Sequence, residues 1–210
     1  MSDGLPGSIG VRKVLVIGTG AISVCHLPTF VTLLRQHYRV DTAVCLTEAA
    51  RAMVSPAALE VLSGRPAIPP GWSAGSGPIH VEWAQWPDAV LVWPATLHFL
   101  ASCALGLTAD VATSIAVAAT VPVVFAPSLA MGVTASGPYR RAAAALQADG
   151  RHLVGPIAGH GVWTWQLSDG ACAPPDAVLR ELARISSGPT EPTHHAKEHH
   201  DHHRVSRTSQ

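Results

Sequence analysis

The segment that most narrows the folds open to this chain is residues 88–99. Ala89-Val90-Leu91-Val92-Trp93 is apolar without interruption, Pro94-Ala95-Thr96 breaks the run, and Leu97 begins a stretch with helical spacing. A strand that is apolar on both faces has no solvent side, so it belongs in a parallel sheet covered by helices. Upstream, Val14-Leu15-Val16-Ile17 leads in the same way into Gly18-Thr19-Gly20-Ala21 and then a helical pattern. Two strand-loop-helix units with small residues in their loops predict a crevice at the carboxyl ends of the strands.

The remainder of the chain continues this alternation. Strands are predicted over 11–17, 40–46, 88–93, 121–125 and 152–154, with 79–83 a short strand or extended piece. Helices are predicted over 21–37, where Pro28 introduces a kink, from Thr47 and Ser55 as two capped starts, and over 97–105, 111–120, 139–148 and 175–185. The Pro-, Gly- and Ser-rich stretch 66–78 reads as a surface loop. Strand and helix in alternation predict an α/β protein, a three-layer sandwich of Rossmann or flavodoxin-like type around a parallel, doubly wound sheet. Residues 1–10 read as a flexible arm, 11–185 as one domain, and 186–210 as a polar, disordered, His-rich tail.

Composition bounds the partners. Of the 210 residues 48% are hydrophobic and only 13% charged, which leaves apolar surface for other copies of the chain to cover. The formal net charge is zero, so no global field favours nucleic acid. No unbroken apolar run reaches the ~18 residues of a membrane span. Residues 1–10 lack the basic and apolar regions of a signal peptide, so a cytoplasmic protein is expected. The four cysteines, Cys25, Cys45, Cys103 and Cys172, lack CxxC spacing and are expected to be free and buried, with no metal bound.

Three polar clusters fall at predicted loop-to-helix junctions. Gly18-Thr19-Gly20 lacks the third glycine of a dinucleotide fingerprint and by itself describes a tight turn. Thr47 is either a plain helix cap or a phosphate site at a helix N-terminus. Asp110, Thr113 and Ser114 are accounted for as a cap. Together the three loops favour a ligand that carries phosphate.

The order and spacing of several of these pieces resemble one family. Gly18-Thr19-Gly20-Ala21-Ile22, Leu46-Thr47-Glu48-Ala49-Ala50-Arg51, Val54-Ser55-Pro56, Leu62-Ser63-Gly64-Arg65-Pro66 and the Pro94-Ala95-Thr96 loop look like the flavoprotein domain of phosphopantothenoylcysteine decarboxylases. The wider group is the homo-oligomeric flavin-containing cysteine decarboxylases, including those that act on C-terminal cysteines of lanthipeptides. The resemblance implies a flavin, FMN or FAD, held by Gly18, Thr19, Gly20, Ala21, Ile22, Thr47, Pro94, Ala95, Thr96, His98, Asp110, Thr113 and Ser114. It implies His80 as the catalytic base, because His80 precedes Pro94 by the fourteen residues that separate the family's histidine from its Pro-Ala-Ser-Ala-Asn-Thr motif.

The chain also departs from the family pattern. His98 stands where that motif has asparagine, and Ser128 stands for the asparagine of the second motif in Pro127-Ser128-Leu129-Ala130-Met131. These changes weaken a phosphopantothenoyl substrate more than a peptide, and the absence of a following ligase domain points the same way. Ser128 and Met131, with Trp163 and Trp165 in a glycine-flanked segment, are then expected to meet substrate. That tryptophan segment is equally an edge hairpin or a clamp over a peptide tail. The resemblance further implies a trimer or dodecamer with flavin at subunit contacts. The expected activity is flavin-dependent oxidative decarboxylation of the C-terminal cysteine of a ribosomally made precursor peptide, giving an enethiol for an aminovinyl-cysteine ring. Phosphopantothenoylcysteine decarboxylation, a flavin prenyltransferase and a regulatory subunit without turnover are the alternatives.

Overall fold

The computed structural model describes residues 4–72, 77–161 and 165–187. β1 (Lys13–Gly18), β2 (Asp41–Leu46), β3 (Ala89–Ala95), β4 (Val123–Pro127) and β5 (His152–Leu153) form one five-stranded sheet in the order β2-β1-β3-β4-β5. All four neighbouring pairs are parallel. The chain winds outward from β1 to β2, then crosses back to β3 on β1's other side. The gap between β1 and β3 is therefore the point where strand order reverses, the usual ligand crevice of such sheets.

Alternation along the strands divides the core. Val14 and Val16 enter one buried cluster with Val44, Leu91, Trp93 and Val124. Leu15 and Ile17 enter the other with Cys45, Val90, Val92 and Phe125. The first face is covered by α1 (Leu27–Gln36), α3 (Pro56–Ser63) and α8 (Pro175–Ser186), and the second by α4 (Ile79–Gln85), α5 (Leu97–Ala104), α6 (Val111–Ala118) and α7 (Gly137–Ala148). This is the three-layer, doubly wound α/β sandwich that the apolar runs predict.

Local signals fix many boundaries. The Ser55 hydroxyl accepts from the Ala58 amide at 3.4 Å, Pro56 opens α3, and Gly64 closes it in the left-handed region at φ 70°. Thr47 caps the short α2 (Glu48–Arg51), and Thr96 caps α5 by accepting from the Phe99 amide at 3.3 Å. At the amino edge of the sheet, Asp88 Oδ2 accepts from the amides of Arg12 and Lys13 at 2.8 and 2.9 Å, which aligns the starts of β1 and β3.

Several expectations need correction. Residues 79–83 are not extended; they open α4, because Ile79, Trp83 and Ala84 recur at helical spacing and all pack on the second cluster. The single kinked helix over 21–37 is a 3-10 turn (Ile22–His26) followed by α1, with Pro28 in the first helical turn, where a missing N–H breaks no bond. β3 runs through Pro94 to Ala95 rather than stopping at Trp93. β5 is not the last strand: β6 (Ile157–His160) and β7 (Leu167–Ala171) form an antiparallel hairpin. Leu167-Ser168-Asp169-Gly170-Ala171 lacks β-branched residues, which is why its strand character was not visible. Residues 4–10 are tied down rather than loose, since Ile9 is buried, Leu5 packs on the first cluster, and Tyr38 donates to the Pro6 carbonyl at 2.8 Å. Cys25 is exposed, although all four thiols are free. Most of the expected tail, residues 188–210, lies outside the described residues.

Phe30 joins α1 to the sheet edge-on against Trp93, with centroids 5.2 Å apart, and both rings are buried. Replacing Phe30 by Ala removes that contact and opens a cavity worth about 3–5 kcal/mol. Thermal unfolding of the variant should therefore show a midpoint lower by on the order of 10 °C.

Candidate functional site

Three loops leave the carboxyl ends of β1, β3 and β4 beside one another, and all are built from small residues. Thr19 is the fastener between them. It is 1% exposed; its hydroxyl donates to the Pro94 carbonyl at 2.8 Å and accepts from the Thr96 amide at 3.0 Å. The Thr19 amide also reaches the Pro94 carbonyl, at 3.3 Å. On the far side of β3, the Ser128 amide donates to the Ala95 carbonyl at 2.8 Å, so the β4 tip is fixed to the same loop. On the near side, the Thr47 amide donates to the Gly18 carbonyl at 3.0 Å, which adds the β2 tip. A Cβ at Gly20 would collide with the Ala49 Cβ, so the first loop must be glycine there to pass the start of α2. The result is a shelf of Gly20, Ala21, Pro94, Ala95 and Ser128 across the strand-order reversal, with the first amides of α2 and α5 at its margin. Backbone and small side chains leave room for a flat ring, and helix N-termini suit a phosphate. The residues present fit a flavin.

Asp110, Thr113 and Ser114 sit on the same edge but are engaged differently. Asp110 Oδ1 accepts from the Thr113 amide and hydroxyl, both at 2.7 Å, while the Ser114 hydroxyl donates to the Asp110 carbonyl at 2.8 Å. Their polar atoms make the cap of α6. Asp110 nevertheless lies close to the β2 tip: burial pushes the Cys45 thiol up to about 12, and the Asp110 charge adds to the rise.

His80 is the second residue of α4, half-buried, with its ring edge-on to Trp72 at 4.8 Å. Its Nδ1 is buried and has no hydrogen-bond partner. α4 and α6 pack together and lead into the amino ends of β3 and β4 respectively, so their first turns both point toward the carboxyl edge. His80 is thus on the correct edge but on its flank. Among the described residues no hydrogen bond, ion pair or ring contact joins it to Thr19, Thr47 or the Pro94-Ala95-Thr96 loop. His98 is exposed on the first turn of α5, directly after the shelf, and Ile22 is exposed at the start of the 3-10 turn. Met131 is exposed in the β4–α7 loop, and Trp165 is 77% exposed in the turn of the β6–β7 hairpin. Trp163 lies outside the described residues.

The hairpin is a feature that sequence reasoning located only in outline. Its return strand runs beside the shelf: the Leu129 amide, next to Ser128, donates to the Gly170 carbonyl at 2.8 Å. A cavity of about 870 Å³ opens on the other flank, lined by Ser23, His26, Phe30, Trp93, Cys172 and Asp176 among others. It reaches β3 at Trp93, the 3-10 turn after the β1 loop at Ser23 and His26, and the end of the return strand at Cys172; Thr19, Thr47 and His80 do not line it. The hydrogen-bonded shelf is the guide to chemistry.

The family model described as Flavoprotein matches residues 5–185. This chain belongs to the flavoprotein family. A flavin is the cofactor that membership carries. Among curated proteins, the flavoprotein is 30% identical over 170 residues to the coenzyme A biosynthesis bifunctional protein CoaBC of Escherichia coli strain K12, an alignment that takes in 79% of this chain and 38% of that protein. The corresponding protein of Haemophilus influenzae is 27% identical over 180 residues, 83% of this chain and 44% of that one. The flavoprotein thus spans less than half the length of these relatives. Among solved structures, the FMN-dependent cysteine decarboxylase SpaF superposes with a TM-score of 0.70 at 26% identity, over 84% of this chain and 99% of SpaF. The FMN-dependent cysteine decarboxylase TvaF from thioviridamide biosynthesis gives 0.63 at 29% identity, over 69% and 90%. A PPC decarboxylase mutant complexed with pantothenoylaminoethenethiol gives 0.73 at 18% identity over 83% and 97%, which shows the shared fold.

Removing the Thr19 hydroxyl tests the fastener. Thr19→Val keeps the volume but takes the donor from Pro94 and the acceptor from the Thr96 amide. It should lower stability by about 1–3 kcal/mol. Denaturant titration reads that loss, and the absorbance of the purified flavoprotein near the visible flavin bands should fall with it.

Proposed function

We propose that this flavoprotein oxidatively decarboxylates the C-terminal cysteine of a ribosomally made, lanthipeptide-type precursor peptide, with FMN on the shelf and a homo-oligomer completing the site. The observation that carries this reading is the convergence on one sheet edge of a small-residue shelf, a half-buried imidazole on its flank, and a hairpin rooted beside Ser128 with apolar side chains exposed at its outer end. Identities of 26% and 29% to two FMN-dependent cysteine decarboxylases support it.

In this reading Thr47 and the first turn of α2 would hold the phosphate, and Gly20, Ala21, Pro94, Ala95 and Thr96 would hold the ring. Bound flavin supplies an acceptor for a hydride from the cysteine Cβ. His80 takes the thiol proton, so the substrate becomes a thioaldehyde by loss of one hydride and one proton. The carboxylate then leaves as CO2, and its bonding electrons pass to sulfur as an enethiolate. Ser128 orients that carboxylate by donating its hydroxyl, a shorter reach than the asparagine it replaces. An imidazole suits the proton transfer because its ordinary pKa lies near neutrality. The buried Nδ1 without a partner is a cost more readily tolerated at a functional position than elsewhere. His80 lies on the flank of its own chain's shelf, so a neighbouring copy is the natural place for its target.

The 30% identity to CoaBC favours a second reading, decarboxylation of phosphopantothenoylcysteine. One assay separates them. The peptide reaction removes about 46 mass units, CO2 at about 44 plus two hydrogens at about 2, from a peptide ending in cysteine. Mass spectrometry of such a peptide after incubation should show that loss. His80→Asn should reduce it by about 100-fold or more while the protein stays yellow. Turnover of phosphopantothenoylcysteine with no change in the peptide selects the second reading. Full activity of the His80 variant removes His80 from the role of base.

A further inference from the structure

The stretch 66–78 has the composition of a loop, yet its first residues are strapped to three elements. The Ala67 amide donates to Glu60 Oε1 on α3 at 3.0 Å. The Ile68 amide donates to the Val44 carbonyl at 2.9 Å, and the buried Ile68 forms a parallel bridge with Cys45 beside the tip of β2. Two residues on, the Pro70 carbonyl accepts from the Val111 amide at 3.2 Å. Val111 is the first residue of α6, so its N–H has no acceptor within its own helix and the loop supplies one. The segment thus crosses from β2 to the start of α6, the helix that packs on α4. Trp72 follows at its end, and there the indole meets the His80 ring, with centroids 4.8 Å apart and planes at 90°. The indole is 50% exposed, so it is not a core residue that happens to touch an imidazole.

α4 fixes the backbone of His80 but not its ring. Ile79 and Trp83 pack on the second cluster and set the helix, while the two side-chain torsions of His80 remain to be chosen. An edge-to-face aromatic pair favours one arrangement over another by about threefold to tenfold. We propose that Trp72 is a positioning residue for His80: the strap from β2 to α6 holds the indole against the imidazole and keeps that ring in the orientation in which it takes the substrate's proton. The proposal rests on the reading of His80 as the base.

The test uses full-length, flavin-loaded protein and whichever of the two cysteine substrates it turns over. Trp72→Ala should lower kcat by about threefold to tenfold and leave KM within about twofold, because a misplaced base costs chemistry rather than binding. Trp72→Phe keeps an aromatic partner and should restore kcat to within about twofold. In a His80→Asn background, Trp72→Ala should change the residual rate by less than about twofold, since the two residues act as one unit. Correlation spectra of protein labelled at histidine Cε1 read the ring itself. The His80 signal, assigned by its loss in His80→Asn, should move when Trp72 becomes Ala, and the flavin absorbance should stay as it is. An unmoved signal overturns the proposal, as does a fall in kcat that Trp72→Phe does not recover. An equal fall with and without His80 also overturns it, because Trp72 then acts by another route. Unchanged kcat in Trp72→Ala while His80→Asn is inactive removes the positioning role and leaves the base reading intact. Full activity of His80→Asn removes the base reading itself, and this proposal with it.

Discussion

Everything at the carboxyl edge depends on one buried hydroxyl. Parallel strands end in loops that diverge, and nothing in the sheet ladder holds those loops together once the strands stop. Thr19 supplies a donor and an acceptor at the point where β1 and β3 part, and both are used on the β3 loop. With Ser128 bonded to Ala95 and Thr47 to Gly18, four strand tips become one surface. A buried hydroxyl left unpaired would cost about 1–3 kcal/mol, so the geometry is fixed as well as permitted. The small residues around it follow from the same requirement: loops drawn this close leave no space for side chains, as the predicted collision of any Cβ at Gly20 with Ala49 shows.

The two helical layers then contribute unequally. The first layer, with α1 packed through Phe30 on Trp93, is mostly support. The second brings α4 and α6 in parallel, with their first turns at the functional edge, and this places His80 and Asp110 at the same level. Direction is the reason. A helix that leads into the amino end of a parallel strand must begin near the carboxyl end of the sheet, so its N-terminal residues are delivered to the site whatever their identity.

Much of this was legible from residues alone. Apolar runs marked β1, β2, β3 and β4, and the caps at Thr47, Ser55 and Asp110 were each flagged by a small polar residue before an apolar segment. The misreadings share a cause. Ile79 to Trp83 alternates too briefly to separate a strand from a helix, and only packing of Ile79, Trp83 and Ala84 on one cluster decides it. β6 and β7 lie outside the main core, so burial wrote no period into their sequence. Thr19 was visible as part of a glycine turn, but its partner lies 75 residues away and no local pattern can name it.

A protein proposed to handle a substrate thiol beside an oxidising ring has to keep its own thiols out of the reaction, and burial does that here. Cys45 lies near the β2 tip and Cys172 follows the hairpin's return strand, while Cys103 lies in the last turn of α5. Burial pushes each up to about 12, and the Asp110 charge raises Cys45 and Cys103 further. The thiolate is the reactive form, and burial keeps these thiols protonated at neutral pH. Cys25 is the exposed exception, and it sits on the 3-10 turn with its thiol turned to the Met53 carbonyl at 3.8 Å, on the outer side of α2 rather than over the shelf. In the proposed reaction, the same apolar packing that closes the core would leave the incoming cysteine as the thiol for an imidazole at the edge to ionise.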